Sequence, residues 1–247
     1  MRAEAFHAPV LPREHAADEA ALSTVAAPDG TAVLFCRSDE AGGWLSDFTQ
    51  TGEKAGSGAG LTGTDHVSLT QPFDNFDEAA LFYRSVLGLR PDPLTEFAAP
   101  FGLVRSRAVT DPAHDVRISL NVAVLRRGDW APGVPDPQHI AFATDDIIAS
   151  ATAMRALGAP LLSIPDNYYD DLDARLAPPP DLLASMREYS VLYDRDEHGE
   201  FLHFYTELLG SRVFFEVVQR VGGYSGYGAV NAPVRMAAHR RARRGVS

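Results

Sequence analysis

The sequence predicts an α+β fold built on a repeated strand–helix–strands unit, and three observations carry that prediction. Two short apolar runs, 66–70 (His-Val-Ser-Leu-Thr) and 139–143 (His-Ile-Ala-Phe-Ala), each begin at a histidine and read as buried strands. Each is followed by an acidic stretch and a helix that starts at an aspartate and stops at Leu-Gly, Leu87-Gly88 and Leu157-Gly158. A later apolar run, 214–219, carries Glu216 77 residues after His139, which itself lies 73 after His66.

In chain order, the first helix is expected over 77–88, capped by Asp77 and stopped by Gly88, with Ala80, Leu81, Val86 and Leu87 on its apolar face. Strands are expected over 101–109 and 116–125. The second helix, 146–158, repeats the plan with Asp146 and Gly158, followed by strands at 161–164, 201–206 and 212–219. Alternation puts Phe214, Glu216 and Val218 on one strand face. A glutamate there is costly to bury unless it meets a cation or a proton. The segment 165–180 reads as an insertion, a loop and a short helix near the site. Residues 1–11 echo 154–162, and 27–35 reads as a turn plus a strand. The first 55 residues are therefore expected to be an incomplete module remnant and linker, and the chain a piece of a longer protein. A flexible glycine-rich link at 56–60 leads to a metal-binding domain over 61–237, with modules at about 61–130 and 136–222, and a basic tail at 238–247.

With 247 residues, 45% apolar and 22% charged, the composition is that of an ordinary globular protein with one or two cores. A single cysteine, Cys36, excludes an intrachain disulfide and a cysteine-based zinc site, and fits a reducing, cytoplasmic setting. No apolar run approaches the roughly 18 residues of a membrane span, and the first residues lack a signal-peptide pattern. A net charge of −11 argues against nucleic acid as a partner. The basic run 235–244 is read as a surface helix end balancing an acidic body, with a docking tail as the alternative.

Two neutral imidazoles and one carboxylate, His66, His139 and Glu216, leave coordination positions open, as in non-haem Fe(II) oxygenases. Taken singly, each reads as a hydrogen-bonded core histidine or a surface glutamate; their matching places in a repeat favour a metal site. His203 and Tyr205 alternate on one strand, and three roles stay open for His203: fourth ligand, pocket acid or base, or hydrogen-bonded strand residue. His7, His15, His114, His198 and His239 lie in loop-like or terminal sequence and read as solvated. The run 222–228 has no Lys-Ser/Thr after it, so a gate-like turn with Tyr227 facing the site is expected rather than a phosphate loop. Asp170, Asp171 and Asp173 read as a solvated acidic loop.

Several stretches resemble the 4-hydroxyphenylpyruvate dioxygenase family: Asp65-His-Val-Ser-Leu-Thr-Gln-Pro72, Phe82-Tyr-Arg-Ser-Val-Leu-Gly-Leu89, Gln138-His-Ile-Ala-Phe-Ala-Thr-Asp-Asp-Ile147, Phe214-Phe-Glu-Val-Val-Gln-Arg220 and Gly222-Gly-Tyr-Ser-Gly-Tyr-Gly-Ala-Val-Asn231. The resemblance covers about 61–237. The whole is most similar to the carboxy-terminal half of bacterial fusion proteins that join a 3-dehydroshikimate dehydratase barrel to such a part. It implies the vicinal-oxygen-chelate fold, in which paired βαβββ modules form a half-open barrel around a metal. It also implies His66, His139 and Glu216 as ligands of one Fe(II) per chain, with Ser106, Asn121 and Gln138 at substrate-pocket positions. Tyr205 and Tyr227 stand where the family carries phenylalanines near the substrate ring, and Phe214 joins that pocket set. His203 replaces a glutamine expected to face the metal pocket, and the loop 126–137 is short and lacks another. These departures bear on the substrate rather than on the iron site.

The implied chemistry is oxidation of an aromatic 2-keto acid, chelated to Fe(II) through two oxygens, with O2 and release of CO2. A second reading is a non-catalytic metal- or aromatic-binding module that supports a fused 3-dehydroshikimate dehydratase. A third is a ring-cleaving dioxygenase of the same fold. The sequence leaves open whether the chain forms a homo-oligomer.

Overall fold

The structure, a computed structural model, describes residues 2–12, 14–16, 19–20, 22–36, 43–49, 51–53, 56, 58–99, 102–124, 138–210 and 213–245. The 126–137 loop and Phe101 lie outside the described residues. The amino-terminal piece forms α1 (Arg2–Ala5) and a three-stranded antiparallel sheet of β1 (Val10–Leu11), β2 (Ser23–Ala26) and β3 (Ala32–Phe35).

The first module follows as β4 (Leu61–Thr70), α2 (Phe76–Phe82), β5 (Arg90–Pro91), β6 (Thr95–Ala99), β7 (Gly102–Thr110) and β8 (Arg117–Val124). The second contains β9 (Gln138–Thr144), α3 (Ile147–Ala156), α4 (Asn167–Leu176), α5 (Pro180–Tyr189), β10 (Leu192–Arg195), β11 (Gly199–Tyr205) and β12 (Val213–Gly222), and α6 (Ala232–Gly245) follows it. Strands β4–β12 form one nine-stranded sheet in the order β10-β11-β12-β9-β4-β8-β7-β5, with β6 on β7. The first strand of each module runs parallel to the last, β4 with β8 and β9 with β12, while β4 and β9 pair antiparallel. That pairing relates the two modules about the β4–β9 seam and brings their equivalent histidines together. In the seam Ser68 faces His139 and His66 faces Ala141.

One side of the sheet is covered by helices. Ile147, Tyr169, Leu172 and Met186 from α3–α5 share one buried core with Phe204 and Val217, all with less than 3% exposure. Each such fully buried side chain contributes about 1.5–3 kcal/mol relative to exposure. In the first module Phe76, Ala79 and Tyr83 cover Val109 and Leu120, and Ala3, Val25 and Ala27 of the amino-terminal piece join that core. Among the described residues no helix is long and apolar enough to cross a membrane.

Several local expectations change. The first helix starts at Phe76; Asn75 precedes it without a side-chain cap, and Asp77 sits in the first turn. It widens into a π-helical turn over Tyr83–Leu87 that ends at Gly88 with φ +78°. Its buried face is Ala79, Ala80, Phe82 and Tyr83, whereas Leu81 is 60% exposed. The second helix follows expectation: the Asp146 carboxylate accepts from the Ala149 amide at 2.9 Å, and Gly158 has φ +80°. Residues 161–164 make one bridge, Leu161 to Thr206, and no strand, because Pro160 and Pro165 remove donors at both ends. The 165–180 insertion contains helix α4, with Tyr168, Tyr169 and Leu172 buried. Its Asp170 and Asp171 are exposed and pair with Arg187 and Arg175 rather than forming a loop.

Candidate metal centre

His66 and Glu216 are buried and His139 is half-buried. Their donor atoms form a tight triangle. His66 Nε2 lies 3.3 Å from His139 Nε2 and 3.2 Å from Glu216 Oε2, and His139 Nε2 lies 3.1 Å from the same oxygen. Donors about 2.1 Å from one ion, separated by about 90–110°, sit roughly 3.0–3.4 Å apart. The triangle fits one divalent ion held on a single face. The opposite side opens on a cavity of ≈ 190 Å³ between the sheet and α6.

A second ring of residues fixes His66 and Glu216. His66 Nδ1 donates to Asp65 Oδ1 at 2.7 Å, which leaves Nε2 as the free donor atom. Asp65 is the extra residue of a register shift between Thr64 and His66, and this irregularity explains how two consecutive side chains are both buried. Arg220 in turn grips Asp65 through two bonds, 2.8 and 2.9 Å, while its guanidinium lies 4.8 Å from the Phe201 ring. Asp65→Asn is expected to weaken metal binding about 10–100-fold, and to cost about 3–5 kcal/mol by leaving Arg220 uncompensated. Equilibrium dialysis and denaturant unfolding of the variant check both; unchanged metal affinity would contradict this role.

Glu216 is held from the other side. Asn231 Nδ2 donates to the Tyr193 carbonyl (3.1 Å) and to His203 Nε2 (3.0 Å), so His203 Nδ1 carries the proton and donates to Glu216 Oε1 at 2.7 Å. Asn231 Oδ1 accepts from Tyr168 of α4 at 3.1 Å. Gly228, with φ +57°, lets the backbone lie against the His203 ring, where a Cβ would come within 3.0 Å. His203 is therefore neither cavity-lining nor a fourth ligand; it orients Glu216 so that Oε2 faces the two histidines.

Charge follows this geometry. Burial opposes ionisation of Glu216, but the bonds from His139, His203 and His66 outweigh it and hold the carboxyl well below its usual range. Burial also pushes His66 down, yet Asp65 and Glu216 raise it overall. His139 and His239 are held down to about 4, chiefly by burial. A histidine kept neutral in this way gains a proton on unfolding once the pH drops below about 6.5. Its stabilising share is complete above that pH and is lost as pH falls towards about 4. Thermal melts of the metal-free protein should show Tm falling across pH 6.5 to 4; a flat Tm over that window would contradict the assignment.

Of the residues expected at the substrate, Ser106, Asn121, Tyr205 and Tyr227 line the cavity, while Gln138, His203 and Phe214 do not. Strand alternation turns Gln138 away from the face of His139. Phe214 is buried behind His139, stacked on its ring at 4.7 Å. Tyr227 comes edge-on to His66 at 5.1 Å, and its buried hydroxyl has no partner among the described residues. Asn121 Nδ2 donates to Ser68 Oγ at 2.9 Å, building a polar floor with Ser119. The sequence reading missed Ser68, Ser119, Asp65, Arg220 and Asn231. It also placed His239 in solvent, whereas it is 3% exposed and bonded to the Thr206 carbonyl. His7, His15, His114 and His198 are exposed as expected.

The family model for the glyoxalase/bleomycin resistance protein/dioxygenase superfamily matches residues 63–175, which span both histidine strands. Over that stretch the chain is similar to this superfamily. Its relatives include a 3-dehydroshikimate dehydratase of Pseudomonas aeruginosa, 40% identical over 93% of the chain but only 37% of that protein. A 4-hydroxyphenylpyruvate dioxygenase of the same organism is 30% identical over 70% of the chain and 50% of the relative. Among solved structures, a xylose isomerase-like TIM barrel/4-hydroxyphenylpyruvate dioxygenase fusion protein superposes with a TM-score of 0.81 at 35% identity, covering 99% of the chain and 39% of the fusion. The chain thus spans half or less of the length of these proteins. The mixed nine-stranded sheet has the paired βαβββ arrangement of that superfamily's fold.

Proposed function

We propose that the chain is an Fe(II)-dependent dioxygenase of the 4-hydroxyphenylpyruvate dioxygenase type, oxidising an aromatic 2-keto acid with O2 and releasing CO2. The observation that carries this reading is the three-donor triangle, 3.1–3.3 Å on each side, open to a cavity bordered by tyrosines. Its likeness to a 4-hydroxyphenylpyruvate dioxygenase over 70% of the chain supports it. When bound, Fe(II) supplies two-point chelation of the keto acid and activation of O2.

The chain's own residues set the rest. With the ion bound, His66 and His139 would each present a deprotonated Nε2, and Glu216 Oε2 as a carboxylate. The unpartnered Tyr227 hydroxyl offers a hydrogen bond to the ring end of a bound substrate. Ser106 and Asn121 form the polar wall that orients it, and the Tyr205 ring closes the space beside His139 at 6.2 Å.

Anaerobically loaded protein is given 4-hydroxyphenylpyruvate and then O2, while oxygen uptake and CO2 release are followed. Matched uptake and release are expected. No uptake with one equivalent of metal bound would favour the second reading, a non-catalytic metal- or aromatic-binding module that supports a fused dehydratase. That reading draws on one specific observation, the 40% identity to dehydratases of which the chain spans 37%.

A further inference from the structure

Helix α6 carries two adjacent stripes with different environments. Val234, Ala238 and Ala242 pack on the second module's core. Arg235, Met236, His239, Arg240 and Arg243 line the cavity that the metal donors face. The basic run read from the sequence as a solvent-facing helix end therefore places three of its arginines against the site. The helix contains no Asp or Glu to neutralise them, and among the described residues none of the three makes an ion pair. Arg235, half-buried, lies 5.0 Å from the Phe214 ring and 5.7 Å from the Tyr205 ring, beside His139. Arg240 and Arg243 are exposed and stand at the mouth, about 7.5 and 12 Å further along the helix at 1.5 Å per residue. Between the two ends, Phe73, Phe97 and Val104 supply an apolar wall.

We propose that this cavity takes an aromatic or other cyclic acid bearing a second carboxylate, received at the mouth by Arg240 and Arg243 with Arg235 behind them. Three guanidinium groups around a small cavity concentrate positive potential in a chain whose net charge is −11. Their planar forks match a carboxylate with two parallel bonds. A neutral ring end such as a phenol would leave those forks unused. The proposal names the substrate class for the site above and rests on that reading only for the metal end.

The test is calorimetric titration of the full chain, metal-free and anaerobically Fe(II)-loaded, with 4-carboxyphenylpyruvate and with phenylpyruvate. The dicarboxylate should bind about tenfold tighter or more in both forms, the effect of roughly one well-formed charge-assisted pair, and the preference should shrink as salt is raised. In the double variant Arg240→Gln/Arg243→Gln, whose sites are exposed and whose melting should match the parent, the ratio should fall to about twofold or less. A ratio near one in the parent, a ratio that survives the double substitution, or no heat from the dicarboxylate at millimolar concentration would overturn the proposal. Loss of metal uptake with the ratio intact in the metal-free form would overturn the proposed function alone.

Discussion

Replacing Glu216 by alanine is expected to abolish retention of iron, with an affinity loss greater than the roughly 10–100-fold typical of a group that only supports a ligand. Three features combine to make the effect large. Glu216 is the one anionic member of the triangle, and its Oε2 closes both short edges, 3.2 Å to His66 and 3.1 Å to His139. Without it two neutral imidazoles face each other, an N/N pair with no charge to offset that of the cation. The sheet itself should persist, because the buried pair Phe204 and Val217 lies on the opposite, helix-covered side. Gel-filtered variant protein analysed for metal, beside a circular dichroism melt, separates loss of the site from loss of the fold. Iron retained at parental stoichiometry by a folded variant would show that the ligand set is wrong.

The second large effect is expected at His203. His203→Leu leaves Glu216 Oε1 buried without a donor, at a residue only 1% exposed. It also leaves the Asn231 amide short of an acceptor. Orphaning buried polar groups costs about 1–3 kcal/mol each, more where one is charged. The carboxylate is then free to rotate, and metal affinity should fall about 10–100-fold. His203→Gln retains a side-chain amide donor for Oε1 and should recover most of that affinity. The pair distinguishes orientation from ligation: a true fourth ligand would be lost in both variants, and a mere packing residue would be replaced by Leu without effect on metal binding. Metal titration of the two variants reads this directly.

The sequence made the candidate triad legible because strand-leading histidines recur at matched places in a repeat. It also made Glu216 conspicuous, since a carboxylate on an apolar strand demands a partner. The groups that hold the triad were hidden for a different reason. Asp65 is adjacent to His66, and ordinary alternation would have sent it to the opposite face; only the register shift in β4 turns it inward. Asn231 and His203 meet through a turn whose path depends on the left-handed Gly228.

Misreadings elsewhere have similar local causes. Leu81 was placed on the apolar face beside Ala80, but the buried stripe of the helix is Phe76, Ala79, Ala80 and Tyr83, and Leu81 falls outside it. The spacing of Arg235, His239 and Arg243, four residues apart, was visible as a single helix face. What that face looks onto was not, because it is set by how α6 docks against the sheet at β6. The charge of the run alone suggested solvent, and the fold assigned it to the cavity.

The central claim is that His66, His139 and Glu216 hold one divalent ion. It is tested most directly by anaerobic titration of the full chain with Fe(II), followed by gel filtration and metal analysis. Saturable uptake of one Fe(II) per chain, displaced by competing Co(II), is the expected result. Uptake that never saturates, or that stops far below one equivalent in folded protein, would contradict it.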